Sequence, residues 1–160
     1  MPISIDTDIL KSWASTAIQD LRESMDVSGV TASGRFNQSL VAEITPNSVV
    51  IRGLRYVGAI ELGRKPTSGG GNGELRKAIM SWIDSKGITP NGISKDSLAF
   101  LITRKIHREG TALYNGTDHY GRSKPSRVIA GVLEDGRVQK LADSVVLDVI
   151  SKFRTEIFKK

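Results

Sequence analysis

The chain contains no cysteine. That excludes disulfides and thiolate metal sites, and it suits a reducing compartment. Histidine is nearly absent as well, with only His107 and His119. His119 stands beside Asp118, and an Asp–His pair can orient a general base. Both residues fall in a long polar segment, however, and no nucleophile motif such as G-x-S-x-G accompanies them. The pair reads as part of a solvated loop. The H-E-x-x-H and calcium-loop spacings are also missing, so Asp6 and Asp8 read as acids at a helix start. No apolar run is long enough to span a membrane, and the first residues carry no signal-peptide pattern. The expectation is a protein with no catalytic centre, no cofactor, no metal and no membrane segment.

What the chain does have is uneven charge. Its 23 lysines and arginines face 17 acids, a formal net charge of +6. Residues 1–50 carry a net −3, while residues 51–77 and 101–130 each carry +4. Such a split predicts a basic face and an acidic face. Nucleic acid, or an acidic neighbour such as a second copy of the chain, would suit the basic one. The length of 160 residues fits one domain with a real core.

Residues 7 to 26 read as an amphipathic helix, with Ile9, Trp13, Ala17, Leu21 and Met25 recurring every four residues beside Leu10 and Ile18. Thr7 or Asp6 serves as its cap. Residues 39–45 alternate, with Leu40, Ala42 and Ile44 on one side. Pro46 then starts a tight turn into Val49-Val50-Ile51, which predicts a β-hairpin. Tyr56 to Leu62 reads as a third strand, or as a strand breaking into a short helical turn. The run Thr67 to Gly73 has nothing to bury and reads as a flexible loop. Leu75, Ala78, Ile79, Trp82 and Ile83 predict a short helix stopped at Gly87. Ser94 caps a further helix carrying Leu98, Leu101, Ile102 and Ile106 that ends at Gly110. Residues 110–127 read as a second long, basic loop. Residues 128–133 fit a helical turn or a fourth strand, the latter because Asp135-Gly136 is a hairpin-type dipeptide. A C-terminal helix follows, striped by Val138, Leu141, Val145, Val149, Phe153 and Ile157. The expected fold class is α+β, one domain over residues 1–160. Its N-terminal helix packs on a small antiparallel sheet, further helices follow, and flexible loops lie near 64–73 and 110–127.

The glycines at 69 to 73 stand before a helix, where a phosphate could be cradled. The G-x-x-x-x-G-K-[ST] spacing is absent, and Glu74 opens the helix where a cation would help, so a flexible loop is the better reading. Arg52, Arg55, Arg64, Lys65, Arg104, Lys105, Arg108, Arg122, Lys124 and Arg127 could neutralise phosphates. Tyr114 and Tyr120 could stack on bases. None of these forms a known reader motif. A nucleic-acid-binding accessory protein is therefore the alternative function, against the plainer reading of a solvated basic face.

Three passages resemble those of a known family. Gly34-Arg35-Phe36-Asn37-Gln38-Ser39-Leu40 leads from the first helix into the hairpin. Tyr56-Val57-Gly58-Ala59-Ile60-Glu61-Leu62-Gly63-Arg64-Lys65-Pro66 matches an aromatic-x-x-x-Val/Ile-Glu-x-Gly-x-x-Pro pattern ahead of a flexible loop. Arg108-Glu109-Gly110-Thr111 ends a late helix. In these the chain resembles the small neck and tail-completion proteins of tailed bacteriophages, also called head–tail joining or minor tail proteins. The departure from that pattern is the extra Trp82-bearing helix and the second long loop.

The resemblance implies a curved antiparallel sheet with packed helices. It implies a virion protein, assembled in the bacterial host cytoplasm, that forms a ring between portal and tail or at the head-proximal end of the tail. The implied partners are other copies of the chain, portal, neck or tail proteins, and DNA passing without sequence readout. It makes Glu61 a candidate for a structural hydrogen bond or an intersubunit ion pair, against the plain reading of a solvent-facing strand residue. Arg64, Lys65, Arg104, Arg108, Arg122, Lys124 and Arg127 are the candidate contacts to a neighbouring subunit or ring.

Overall fold

The structure is a computed structural model that describes residues 5–68, 73–116 and 124–158. The chain is α+β, with an N-terminal helix, α1 (Thr7–Val27), on a two-stranded antiparallel sheet of β1 (Val41–Thr45) and β2 (Ser48–Arg52). Asp6 caps α1 by accepting a 2.9 Å hydrogen bond from the Asp8 amide. The residues of α1 that reach the core are Leu10, Ala14, Ala17, Leu21 and Met25. A four-residue step drifts about 40° round a helix of 3.6 residues per turn. The line of contact therefore cannot follow Ile9-Trp13-Ala17, and it shifts to Leu10 and Ala14 in the first turns. Ile9 and Trp13 are left half-buried at its flank.

In the hairpin Ala42 lies opposite Ile51, and Ile44 opposite Val49, both pairs facing α1. The outer face carries Val41, Glu43, Val50 and Arg52, with Glu43 and Arg52 in a diagonal ion pair at 2.7 Å. A short helix, α2 (Arg35–Ser39), turns the chain into β1 and brings Phe36 and Leu40 into the core.

The third strand is not formed. Val57–Leu62 is a helix, α3. A Cβ at Gly53 would come within 3.1 Å of Leu40 and 3.3 Å of Phe36, so the chain passes tightly over the core and leaves the sheet there. The Leu54 amide then bonds to Ser39 Oγ at 3.1 Å, and Val57 closes a turn on Leu54. One helical turn suffices to bring Ile60 against the core, which leaves Val57 and Leu62 exposed.

Two helices, α4 (Glu74–Ser85) and α5 (Lys95–Glu109), pack on each other, with Ile83 and Ala99 buried between them. Ser94 caps α5 through a 3.1 Å bond from the Ser97 amide. Ion pairs Arg76–Asp96 and Lys95–Asp84 join the two helices. Residues 130–133 are helical, α6 (Ala130–Leu133), and α7 (Asp135–Ile157) begins where a hairpin turn was the alternative. Among the described residues no helix is long and apolar enough to cross a membrane.

The main cluster sits at the C-terminal end of α1, where Leu21, Met25, Phe36, Leu40 and Val128 meet. Along the other end, α7 runs antiparallel to α1. Trp13 Nε1 donates to the Arg137 carbonyl at 3.1 Å, Arg137 pairs with Asp20, and the Asp6 amide donates to Asp148 Oδ2 at 3.0 Å. The Lys152 ammonium, 2.8 Å away, and then the Asp6 amide hold the Asp148 carboxyl below the ordinary carboxylate range, against the opposing effect of burial. A lowered folded-state value means the tie is at full strength above the unfolded value near about pH 4 and is lost as pH falls through the folded one. Thermal melts should therefore separate the wild type from Asp148→Asn most at neutral pH, with the gap closing below about pH 4. A gap independent of pH would show that Asp148 does not hold the two helices.

Candidate functional site

Helix α3 ends on Gly63, whose φ of 72° and ψ of 169° place it in a region open in practice only to glycine. Helix α5 ends the same way on Gly110, at φ 82° and ψ −175°. These two ends meet. The Arg64 amide donates to Thr111 Oγ1 at 2.9 Å, and the Arg64 carbonyl accepts from the Thr111 amide at 2.9 Å. Three residues on, the Thr67 amide donates to the His107 carbonyl at 2.9 Å, and the Thr67 hydroxyl meets His107 Nδ1. A Cβ on Gly110 would come within 2.8 Å of the Arg64 carbonyl, and Pro66 packs on the same spot. Both segments approach as bare backbone because neither can carry a side chain at the contact.

The third wall is the end of the second long loop. Ser126 docks on α3 through its amide, which donates to the Glu61 carbonyl at 2.7 Å, and through its hydroxyl, which donates to the Ile60 carbonyl at 3.0 Å. Glu61 reaches back, and its Oε2 accepts from the Ile129 amide at 3.0 Å. Ser24 Oγ on α1 then donates to the Val128 carbonyl at 2.7 Å, which fixes Val128 in the core. Glu61 is thus half-buried and hydrogen-bonded, on a helix rather than on the outer face of a strand. Its other oxygen, Oε1, and Arg64 Nε are buried with no hydrogen-bond partner among the described residues. Unsatisfied buried polar atoms of this kind are uncommon in folded proteins.

Removing the Glu61 side chain would strand the Ile129 amide, and a lost acceptor of this kind costs about 1–3 kcal/mol. Glu61→Ala should lower the urea midpoint accordingly, while Glu61→Gln, which keeps an acceptor oxygen, should cost less than about 1 kcal/mol. Equal midpoints for Glu61→Ala and the wild type would rule out this anchor.

The cations expected at a contact surface are placed unevenly. Arg64 lines the clamp itself, and Lys65 beside it is exposed. Lys124 lies with its ammonium 4.1 Å from the centre of the Tyr114 ring, a cation–π contact that joins the two ends of the second loop. Arg127, at φ 59°, pairs with Glu134, and Arg108 pairs with Glu109, whose carboxyl that hydrogen bond holds below its ordinary range. Arg104 stands exposed one turn before Arg108 on α5, with no ion pair among the described residues. Arg122 lies outside the described residues, as do His119, Tyr120 and Gly69–Asn72. Glu61, Arg64, Lys124 and Arg127 are therefore gathered at one junction, while Arg104 and Arg108 line the helix that ends there. The sequence reading gave no role to Ser126, and it quoted Thr111 only as the end of a passage; these are the two hydroxyls that close the junction. Their only local signal is position, one directly after the helix-ending Gly110 and one directly after Pro125.

No family model, no curated protein and no solved structure matches the chain.

Proposed function

We propose that this protein is a structural component of a tailed-phage virion, forming a ring in the neck or at the head-proximal end of the tail and joining head to tail. The observation that carries this reading is the junction itself. Two of the passages that resemble the neck and tail-completion proteins, Glu61–Pro66 and Arg108–Thr111, are far apart in sequence and clamp each other in space. The residues of the likeness thus work as a scaffold: Glu61 and Thr111 spend their polar groups on backbone amides, and the glycines permit close approach. The basic rim they position, Lys65, Arg104 and Lys124, offers charge to an acidic neighbour, and the acidic N-terminal third of the chain supplies one on the next copy. In such a role the protein needs no cofactor, its partners are other copies of itself and the portal or tail proteins beside it, and DNA passes without being read.

The test is the mass of the purified protein by light scattering across concentration, with and without a short DNA duplex. The reading expects a discrete ring-sized particle, or a concentration-driven step towards one, indifferent to the duplex. A monomer that gathers on DNA and releases it steeply as salt rises would instead make nucleic-acid binding the main function.

A further inference from the structure

Among the described residues, one helix face is left without a partner. On the C-terminal half of α7, Val146, Ile150, Phe153 and Ile157 fall at i, i+4, i+7 and i+11 and form one stripe. Each is 48–65% exposed. Taking an exposed aromatic at about 200 Å² and an aliphatic at slightly less, the stripe offers on the order of 400 Å². Leu147 and Phe158 bring the segment to on the order of 700 Å², close to the roughly 800 Å² per partner of a stable interface. Helix α1 cannot cover it. Asp148 already lies at Asp6, the N-cap of α1, so the last turns of α7 project roughly 15 Å beyond that point.

A surface that suits this stripe lies at the other end of α1. Between the body and the α4–α5 pair runs a groove of about 570 Å³ lined by Phe36, Tyr56, Ile60, Ile79, Trp82 and Ile106. The helix pair is tied to the body at the rims of the groove. Lys86 Nζ donates to the Thr31 carbonyl at 2.9 Å, Arg35 donates to Ser81 at 3.3 Å, and Thr67 holds His107. The lining is mostly apolar, with Arg35, Glu74 and Arg64 among its polar residues, and Arg64 Nε has no hydrogen-bond partner among the described residues. Amphipathic helices enter such grooves through anchors at this spacing.

We infer that the groove of one copy receives the α7 tail of the next. The two surfaces cannot meet within one chain, because the groove is at the Met25 end of α1 and the tail projects past the Asp6 end. The 21 residues of α1 span roughly 30 Å. Complementary patches at opposite ends of a molecule make a head-to-tail contact, which closes into a ring when the rotation allows. The inference rests on the ring reading above and names the surfaces that build the ring.

The absence of cysteine makes the test direct. Full-length Ile157→Cys and Ala78→Cys, the latter at the groove, are mixed and treated with a short bis-maleimide. The expected product joins position 157 of one copy to position 78 of another, and neither variant alone gives it. Phe153→Glu, at an exposed site and so without effect on folding, should move assembly to about tenfold higher concentration or beyond. Mixed with a groove-blocking Ala78→Trp, it should yield dimers, since the pair keeps one intact tail and one intact groove. A ring-sized wild type with no 157–78 product, or with 157–157 products instead, overturns the tail-in-groove contact and leaves the ring reading standing. A wild type that stays monomeric at every concentration and yields no cross-link overturns both.

Discussion

Replacing Gly63 with alanine is expected to destabilise the protein by about 3 kcal/mol or more. At φ 72° and ψ 169° an alanine is strained by itself, and its Cβ would collide with the Tyr114 amide nitrogen and lie within 2.7 Å of Thr111 Oγ1. Those atoms belong to backbone or to the hydroxyl that holds Arg64, so no flexible side chain can move aside. The whole clamp must open, and the second loop loses its seat with it. Gly58, one turn earlier in α3, is the control, because a Cβ there meets nothing within 4 Å. Gly58→Ala should be neutral or stabilising by up to about 1 kcal/mol, since alanine favours the helix. Denaturant midpoints of the two variants separate the readings. Similar, small effects would mean that the α3–α5 contact does not carry the fold.

The second large effect belongs to Phe36. It is 7% exposed and packs with Leu21, Met25, Leu40 and Val128, its ring 5.4 Å from that of Tyr56. It also forms one wall of the apolar groove. Phe36→Ala should cost about 3–5 kcal/mol, from lost burial plus the cavity left behind. Against a total of about 5–15 kcal/mol for a domain, that leaves a substantial unfolded population on warming. Phe158→Ala, 79% exposed on the projecting tail, should change monomer stability by less than about 0.5 kcal/mol. A Phe36→Ala variant as stable as the wild type would place the core elsewhere.

Sequence reasoning succeeded where local chemistry decides the outcome. The ends of α1, α4 and α5 follow from Asp6, Gly87, Ser94 and Gly110, and the hairpin follows from the alternation before Pro46 and the apolar run Val49-Val50-Ile51 after it. At Tyr56–Leu62 it left two readings open, a third strand or a strand breaking into a short helical turn, because a short apolar run fits either, and the helix is what forms. The deciding contact there, Gly53 against Leu40 and Phe36, is set by packing. The candidate site was half legible. Gly110 is read from the sequence as a helix stop, while Glu61 is singled out only by the resemblance of its passage, which also contains Gly63. That Glu61 would bond to Ile129, 68 positions away, is a tertiary fact with no local trace. The stripe on α7 was visible too, but a pattern states that a face is apolar and not what covers it. Leu141 and Val145 are half-buried, while Phe153 and Ile157 are exposed.

Electron microscopy of the purified protein at a concentration where it assembles tests the central claim most directly. The account predicts closed rings of one copy number, with an open centre, which break down when Phe153→Glu is introduced. Open-ended filaments, or monomers and dimers that collect only along added DNA, would contradict it.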